Sequence, residues 1–468
     1  MKKSKLVALL STFSSAEWRD LRDYVASPFF NKRPELVQMT AYLSALAPAF
    51  PDEKLQKQAV YAAIHPGEQL DEKQLGYYNN YLLGLAEDML EYRRFEQANR
   101  QRQLLRLEVL ADRGLEKHYL FTYRQAETEA ATGIQDGDYW MFRRQLEHHA
   151  NHYFLQQRVR RHDPHLQMAA DALDRFYWIH KLRYTCEMLD RQRVMTTDYQ
   201  MVFVEEVKRF LQSHPVDVPL IEMYLQIMLM LSEPAEIAHF EQYKTLFFAN
   251  TETVSRQERG ELLSYGINYC IRKTRQGLEA FTEATLDLYF QGIKEGLLQE
   301  SGYLSHWTYA NVVKLGLRLQ RYEWTQWFIK QYNDSLQPDK QEDALYFNLA
   351  DLYYHQGDFD QTQQLLQKVQ LTDAHYHIGS RILLIKIYYD NGEMDPLLSL
   401  LASFGIFLRR HKEMAADLRK TCLNFCNILA KITRSTRDQT DQLLKTVQQT
   451  TLLTERAWLL EKVRQLGR

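Results

Sequence analysis

Six of the 15 histidines fall within a stretch of 33 residues, at His148, His149, His152, His162, His165 and His180. His148 and His152 stand at i and i+4, where two imidazoles on one helical face can share a metal ion. His149 falls on the apolar stripe of the helix this region predicts. His148 and His152 fall off that stripe, with no carboxylate at a matching spacing, so the pattern reads as packed and exposed side chains. Four cysteines, Cys186, Cys270, Cys422 and Cys426, are too few for a disulfide framework in a chain of 468 residues. Cys422 and Cys426, four apart on a predicted helix, read as reduced, packed thiols. Basic runs at 93–106, 158–161, 272–275 and 409–412 invite a second chemistry, tracking a nucleic-acid backbone between aromatic rings. A net charge of −2 supplies no field to gather phosphates, and no basic domain separates from the rest.

The sequence holds no glycine-rich phosphate loop, and HExxH, GxSxG, CxxC and EF-hand patterns are likewise absent. Acidic residues are scattered through helical stretches, so pairs four apart arise by chance. The expectation is therefore a protein that is not an enzyme, with no catalytic residue, no metal and no cofactor assigned.

The elements that would position these side chains are helices. Glycine (18) and proline (11) are scarce, and aromatics reach 12% with 29 tyrosines, which suits long helices with rings wedged between them. Lys2-Lys3-Ser4-Lys5 before Leu6–Leu10 imitates a secretion signal, but an apolar run of five is shorter than the roughly 7–15 residues such a signal needs. No apolar run approaches the roughly 18 residues of a membrane span. A cytoplasmic location without membrane contact is expected.

Ser14 or Ser15 caps a predicted helix reaching Ser27, with Trp18, Leu21 and Tyr24 or Val25 inward. Pro28 ends it, because the residue before proline is pushed out of helical geometry. Phe29 and Phe30 follow, and at a turn they are expected to plug the core. Asp71 caps a long helix whose inner stripe holds Leu75, Tyr78, Leu82, Leu85, Met89 and Tyr92. Residues 138–161 predict an amphipathic helix, and 219–231 is so continuously apolar that it must lie between neighbours. Two last helices, from 413 onward, would cap the array. No strand is expected.

The most regular stretch is 342–408. Gly357 and Gly392 sit at matching turns 35 residues apart, as do Tyr353 and Tyr388. That period is close to the ~34 of a tetratricopeptide repeat. Another step back reaches Tyr322, and the period then fails. In the repeat's register, the residues facing the inner groove are Phe347, Asp351 and Tyr354 in one unit and Ile382, Lys386 and Tyr389 in the next. Apolar and tyrosine side chains there would anchor a protein or peptide partner, and Asp351 and Lys386 could pair with each other.

Three segments carry a wider likeness: Ser15–Lys32 with Trp18 and Ser27-Pro28-Phe29-Phe30-Asn31-Lys32, Asn268–Lys273 with Gly277 after it, and Leu383–Lys412. In these the chain resembles an uncharacterised family of bacterial all-helical, tetratricopeptide-like (TPR-like) repeat proteins. The resemblance implies a fold and no activity. The predicted fold is all-α, an irregular α-solenoid of helical hairpins, TPR-like in the C-terminal half. Its expected divisions are an N-terminal helical domain (1–95), an irregular hairpin array (96–300), TPR-like repeats (301–411) and capping helices (412–468). The expected function is a non-enzymatic scaffold holding a protein or peptide on its concave face. The alternative is a nucleic-acid-associated regulator using the arginine-rich segments.

Overall fold

Helix ends fall where short-range chemistry puts them. The Ser14 hydroxyl accepts from the Glu17 N–H at 3.3 Å while the Glu17 carboxylate accepts from the Ser14 N–H at 2.7 Å, a capping box. The Asp71 carboxylate accepts from the N–H groups of Lys73 and Gln74, both at 2.9 Å. The computed structural model describes residues 3–131, 133–157, 162–194, 198–370, 374–411 and 414–467. Nearly all regular structure among them is helical. The chain divides into two compact units, 1–184 and 185–468.

The first unit opens with α1 (Lys5–Leu10), α2 (Ser15–Ala26), α3 (Pro34–Leu46), α4 (Lys57–Ile64) and α5 (Glu72–Gln97). Leu6, Leu21, Met39, Leu43, Val60 and Leu82 close their shared core. Next come α6 (Asn99–Asp112), α7 (Glu116–Ala131) and α8 (Gly137–Gln156), which pack on one another around Leu107, Ala126 and Leu146. The division falls inside the long α9 (Pro164–Val194).

The second unit continues with α10 (Val204–Ser213), α11 (Pro219–Ser232), α12 (Ala238–Ala249), α13 (Arg256–Arg275) and α14 (Ala280–Lys294). Helix α11 is buried along nearly its whole length, as its apolar run requires. A two-residue hairpin, β1 (Gln299–Glu300) with β2 (Tyr303–Leu304), replaces the expected absence of strands. Ser301 and Gly302 turn it, both at positive φ. Then follow α15 (His306–Arg318), α16 (Tyr322–Tyr332), α17 (Gln341–Gln356), α18 (Phe359–Leu366), α19 (Ala374–Asp390) and α20 (Met394–Arg410). Three final helices, α21 (Ala416–Ile432), α22 (Thr440–Gln449) and α23 (Arg456–Leu466), stand where two were expected. A turn around 433–439 breaks the segment once more. From α11 to α20 each helix packs on the next, and α17 also meets both α15 and α19.

The two matching turns share one backbone geometry. Gly357 has φ 81° and Gly392 φ 73°. Asp358 N–H donates to the Tyr353 carbonyl at 2.9 Å, and Glu393 N–H to that of Tyr388 at 2.8 Å. This is the six-residue bond of a Schellman stop, which needs a left-handed residue and so favours glycine. The same bonds close α15, where Arg321 N–H reaches the Gly316 carbonyl at 2.9 Å. There the left-handed residue is Gln320, at φ 55°.

One buried arginine ties three helices together. Arg259, 2% exposed, donates through Nε and Nη2 to both oxygens of Glu295, at 2.7 and 2.8 Å. Its Nη1 donates to the carbonyls of Phe247 and Asn250 at 3.0 Å each, and the guanidinium lies 4.2 Å from the Phe247 ring centroid. The fork geometry of arginine satisfies a buried charge completely here.

Candidate partner-binding surfaces

The six residues assigned to the inner groove sit on α17 and α19, and most of them are already engaged. Phe347 is 4% exposed; its ring packs on Tyr376 and occupies the space above Gly379, where a Cβ would come within 2.5 Å of it. Ile382 packs against the C-terminal core. Asp351 pairs with His355, with Oδ1 3.4 Å from Nδ1, rather than with Lys386. Burial pulls the His355 imidazole down, but its hydrogen bond to Asp351 and that carboxylate's charge push it up further, so its pKa ends above the usual value.

What covers the remaining three is α23. Lys386 donates to Glu455 at 2.9 Å and lies 4.5 Å from the Tyr354 ring centroid. Tyr389 meets Trp458 edge to face at 5.4 Å. Lys462 sits 2.8 Å from Asp390, whose other oxygen accepts from the Tyr354 hydroxyl at 3.1 Å. Burial first, then the charge of Asp390, raises the Tyr354 phenol far above its ordinary range, so it stays a neutral donor. Sequence reading missed Glu455, Trp458 and Lys462. Trp458 and Lys462, four apart, share one face of α23, and Glu455 stands immediately before its first residue, yet no local signal says which groove that helix enters.

In the first unit the expectation for Phe29 and Phe30 is corrected. They do not plug the core: Phe29 is 85% exposed and Phe30 40%. The surface they make is ordered. The Asn31 side chain donates to the carbonyls of Val25 (2.8 Å) and Arg33 (2.9 Å) and accepts from the Arg33 N–H (2.9 Å), fixing the turn after Pro28. Phe30 stacks on Tyr24 at 4.0 Å, Phe29 stands edge-on to Phe30 at 5.0 Å, and Tyr92 of α5 closes the row at 6.2 Å from Phe30. Tyr92, expected on the inner stripe, is itself exposed. Arg33 lies over the exposed Tyr81 ring at 3.8 Å. The polar, proline-flanked turn Ser27–Pro34 was the available signal, since such segments run over the surface.

The other candidate chemistries resolve into packing. Glu147, 0% exposed, forms an ion pair with Arg143 (2.7 Å) and accepts from His165 Nδ1 (2.8 Å) and the Tyr123 hydroxyl (3.1 Å). His149 and His180 are half-buried, and burial, the largest cause for each, lowers their pKa. Among the described residues no group of three His, Cys, Asp or Glu is placed to hold a metal ion. Burial pushes the Cys422 thiol up to about 11 and Cys426 up to about 12, so both stay protonated. Of the basic runs, Arg93 pairs with Asp20, Arg272 Nη1 lies 3.2 Å from Asp190, and Lys273 donates to the Pro234 carbonyl. The run at 158–161 lies outside the described residues. No helix among them is long and apolar enough to cross a membrane.

No protein family, curated protein or solved structure matches the chain.

Proposed function

We propose that this chain is a non-enzymatic helical scaffold that holds a protein partner, with the Phe29–Phe30 surface of the first unit as its principal contact. The observation that carries this reading is the ordered row of exposed Phe29, Phe30 and Tyr92 on half-buried Tyr24. Large aromatics left in water without need mark interaction sites, and a preset turn lowers the entropy cost of binding. Covering both phenylalanines yields on the order of 3 kcal/mol, enough to anchor a protein interface centred there. Acidic Asp23, Asp88 and Glu91 and basic Arg22, Lys32 and Arg33, exposed around the row, suit a polar rim better than an anionic lipid or nucleic-acid surface. In this reading the helices of the second unit stack as an irregular α-solenoid, TPR-like over α15–α20. The matching turns and the meeting of α17 with α15 and α19 support it.

A photo-reactive phenylalanine analogue at position 29, irradiated in cells that naturally carry the chain, tests the proposal. The expected result is one discrete protein adduct, lost when Phe30→Asp is added and absent with the analogue at exposed Lys117. Adducts only to nucleic acid, or none, overturn it.

A further inference from the structure

A second surface of the first unit has a charge pattern that defines an occupant. Helices α6 and α8 border an open groove of about 790 Å³, with exposed Phe95, Leu105 and Met141 and the buried core residues Leu104 and Phe142 as its apolar wall. Leu105 and Met141 are exposed although both are large and apolar. Arg100 and His149, half-buried, and Glu108 and Asp138, exposed, are the charged and titratable groups that line the same groove. Arg100 makes a cation–π contact with Phe142, 5.5 Å to the centroid, and neither it nor Glu108 enters an ion pair among the described residues. A half-buried guanidinium gains from a carboxylate more than an exposed one does, because water screens it less.

Arg100, Leu104 and Glu108 follow one another at i, i+4 and i+8 along α6. On a helix that spacing advances about 6 Å per step. In an extended chain alternate residues share a face and advance about 6.6 Å. An extended segment lying along α6 therefore presents side chains i, i+2 and i+4 to Arg100, Leu104 and Glu108 nearly in register. We infer that this groove binds an extended peptide segment of the pattern acidic–x–apolar–x–basic. The acid pairs with Arg100, the apolar side chain enters between Leu104, Leu105 and Met141, and the base pairs with Glu108. This site is separate from the Phe29–Phe30 surface and does not rest on it.

The probe is a fluorescein-labelled peptide with the core Glu-Ser-Leu-Ser-Lys between glycine–serine flanks, read by anisotropy against the full-length chain. Its controls carry Glu-Ser-Leu-Ser-Glu, Lys-Ser-Leu-Ser-Lys or Glu-Ser-Ser-Ser-Lys at the core. The wild type is expected to favour the first over each control by about fivefold or more. Glu108→Lys is expected to move the preference to the Glu/Glu peptide, and Arg100→Glu to the Lys/Lys peptide, with unchanged far-ultraviolet circular dichroism in both. Because each variant gains a ligand as it loses one, a folding defect cannot imitate the result. Equal binding of all four peptides, no binding, or preferences that ignore the charge reversals overturns the inference.

Discussion

Tyr354 and Tyr389 in the second unit and Phe29 and Phe30 in the first are aromatic residues of the type that anchors partners, yet the chain treats them differently. Around the tyrosines it supplies its own cover: α23 brings Trp458 against Tyr389 and sets Glu455 and Lys462 on Lys386 and Asp390. Around the phenylalanines it supplies only support from beneath, with Asn31 fixing the turn and Tyr24 and Tyr92 flanking the rings. The difference separates aromatic residues used for cohesion from those left for contact. It also shows that groove positions inferred from a repeat register can be filled by a later segment of the same chain.

The largest effect expected on the covered side comes from Trp458→Ala, which removes the indole between Tyr389 and Phe425. It should cost about 3 kcal/mol in chemical denaturation, and a loss below about 1 kcal/mol would mean that α23 is only loosely seated. A smaller, pH-dependent effect is expected at His355, whose folded pKa is raised. A raised pKa adds stability below the ordinary histidine value of about 6.5, and that contribution disappears as pH rises through the folded value. His355→Gln should thus lower Tm relative to wild type at about pH 5.5 by a few tenths of a kcal/mol equivalent after solvent screening, and not at about pH 8. A gap constant across that range would contradict the pairing with Asp351. On the open side, Phe29→Ser with Phe30→Ser should change stability by less than about 0.5 kcal/mol. A cost of about 2 kcal/mol would make the two regions alike and end the contrast.

The helical class was legible because short-range rules govern it: Ser14 and Asp71 as caps, Pro28 as a stop, Gly357 and Gly392 as turns. The buried run of α11 could also be read from its unbroken apolarity. What escaped was tertiary. Nothing near Trp458 indicates that it meets Tyr389, and nothing near Glu147 says that His165 and Tyr123 converge on it from α9 and α7. The two-residue strands around Ser301-Gly302 are too short for any periodicity. Phe29 and Phe30 are strongly hydrophobic, and only the polar, proline-flanked turn that carries them signals their exposure. Of the groove positions, the register named residues of α17 and α19 but could not say that the ring of Phe347 lies over Gly379.

The bonds of Arg259 reach the end of α12, the carboxylate just beyond α14 and, through its own backbone, α13. In the stacked array proposed for the second unit, structure would be lost from the ends, one neighbour at a time. A single guanidinium satisfied by groups around three helices removes that freedom locally, since releasing any one of them strands a buried charge. The amides of α13 should accordingly exchange with solvent together, through one concerted opening, making this segment a fixed joint between α12 and α14.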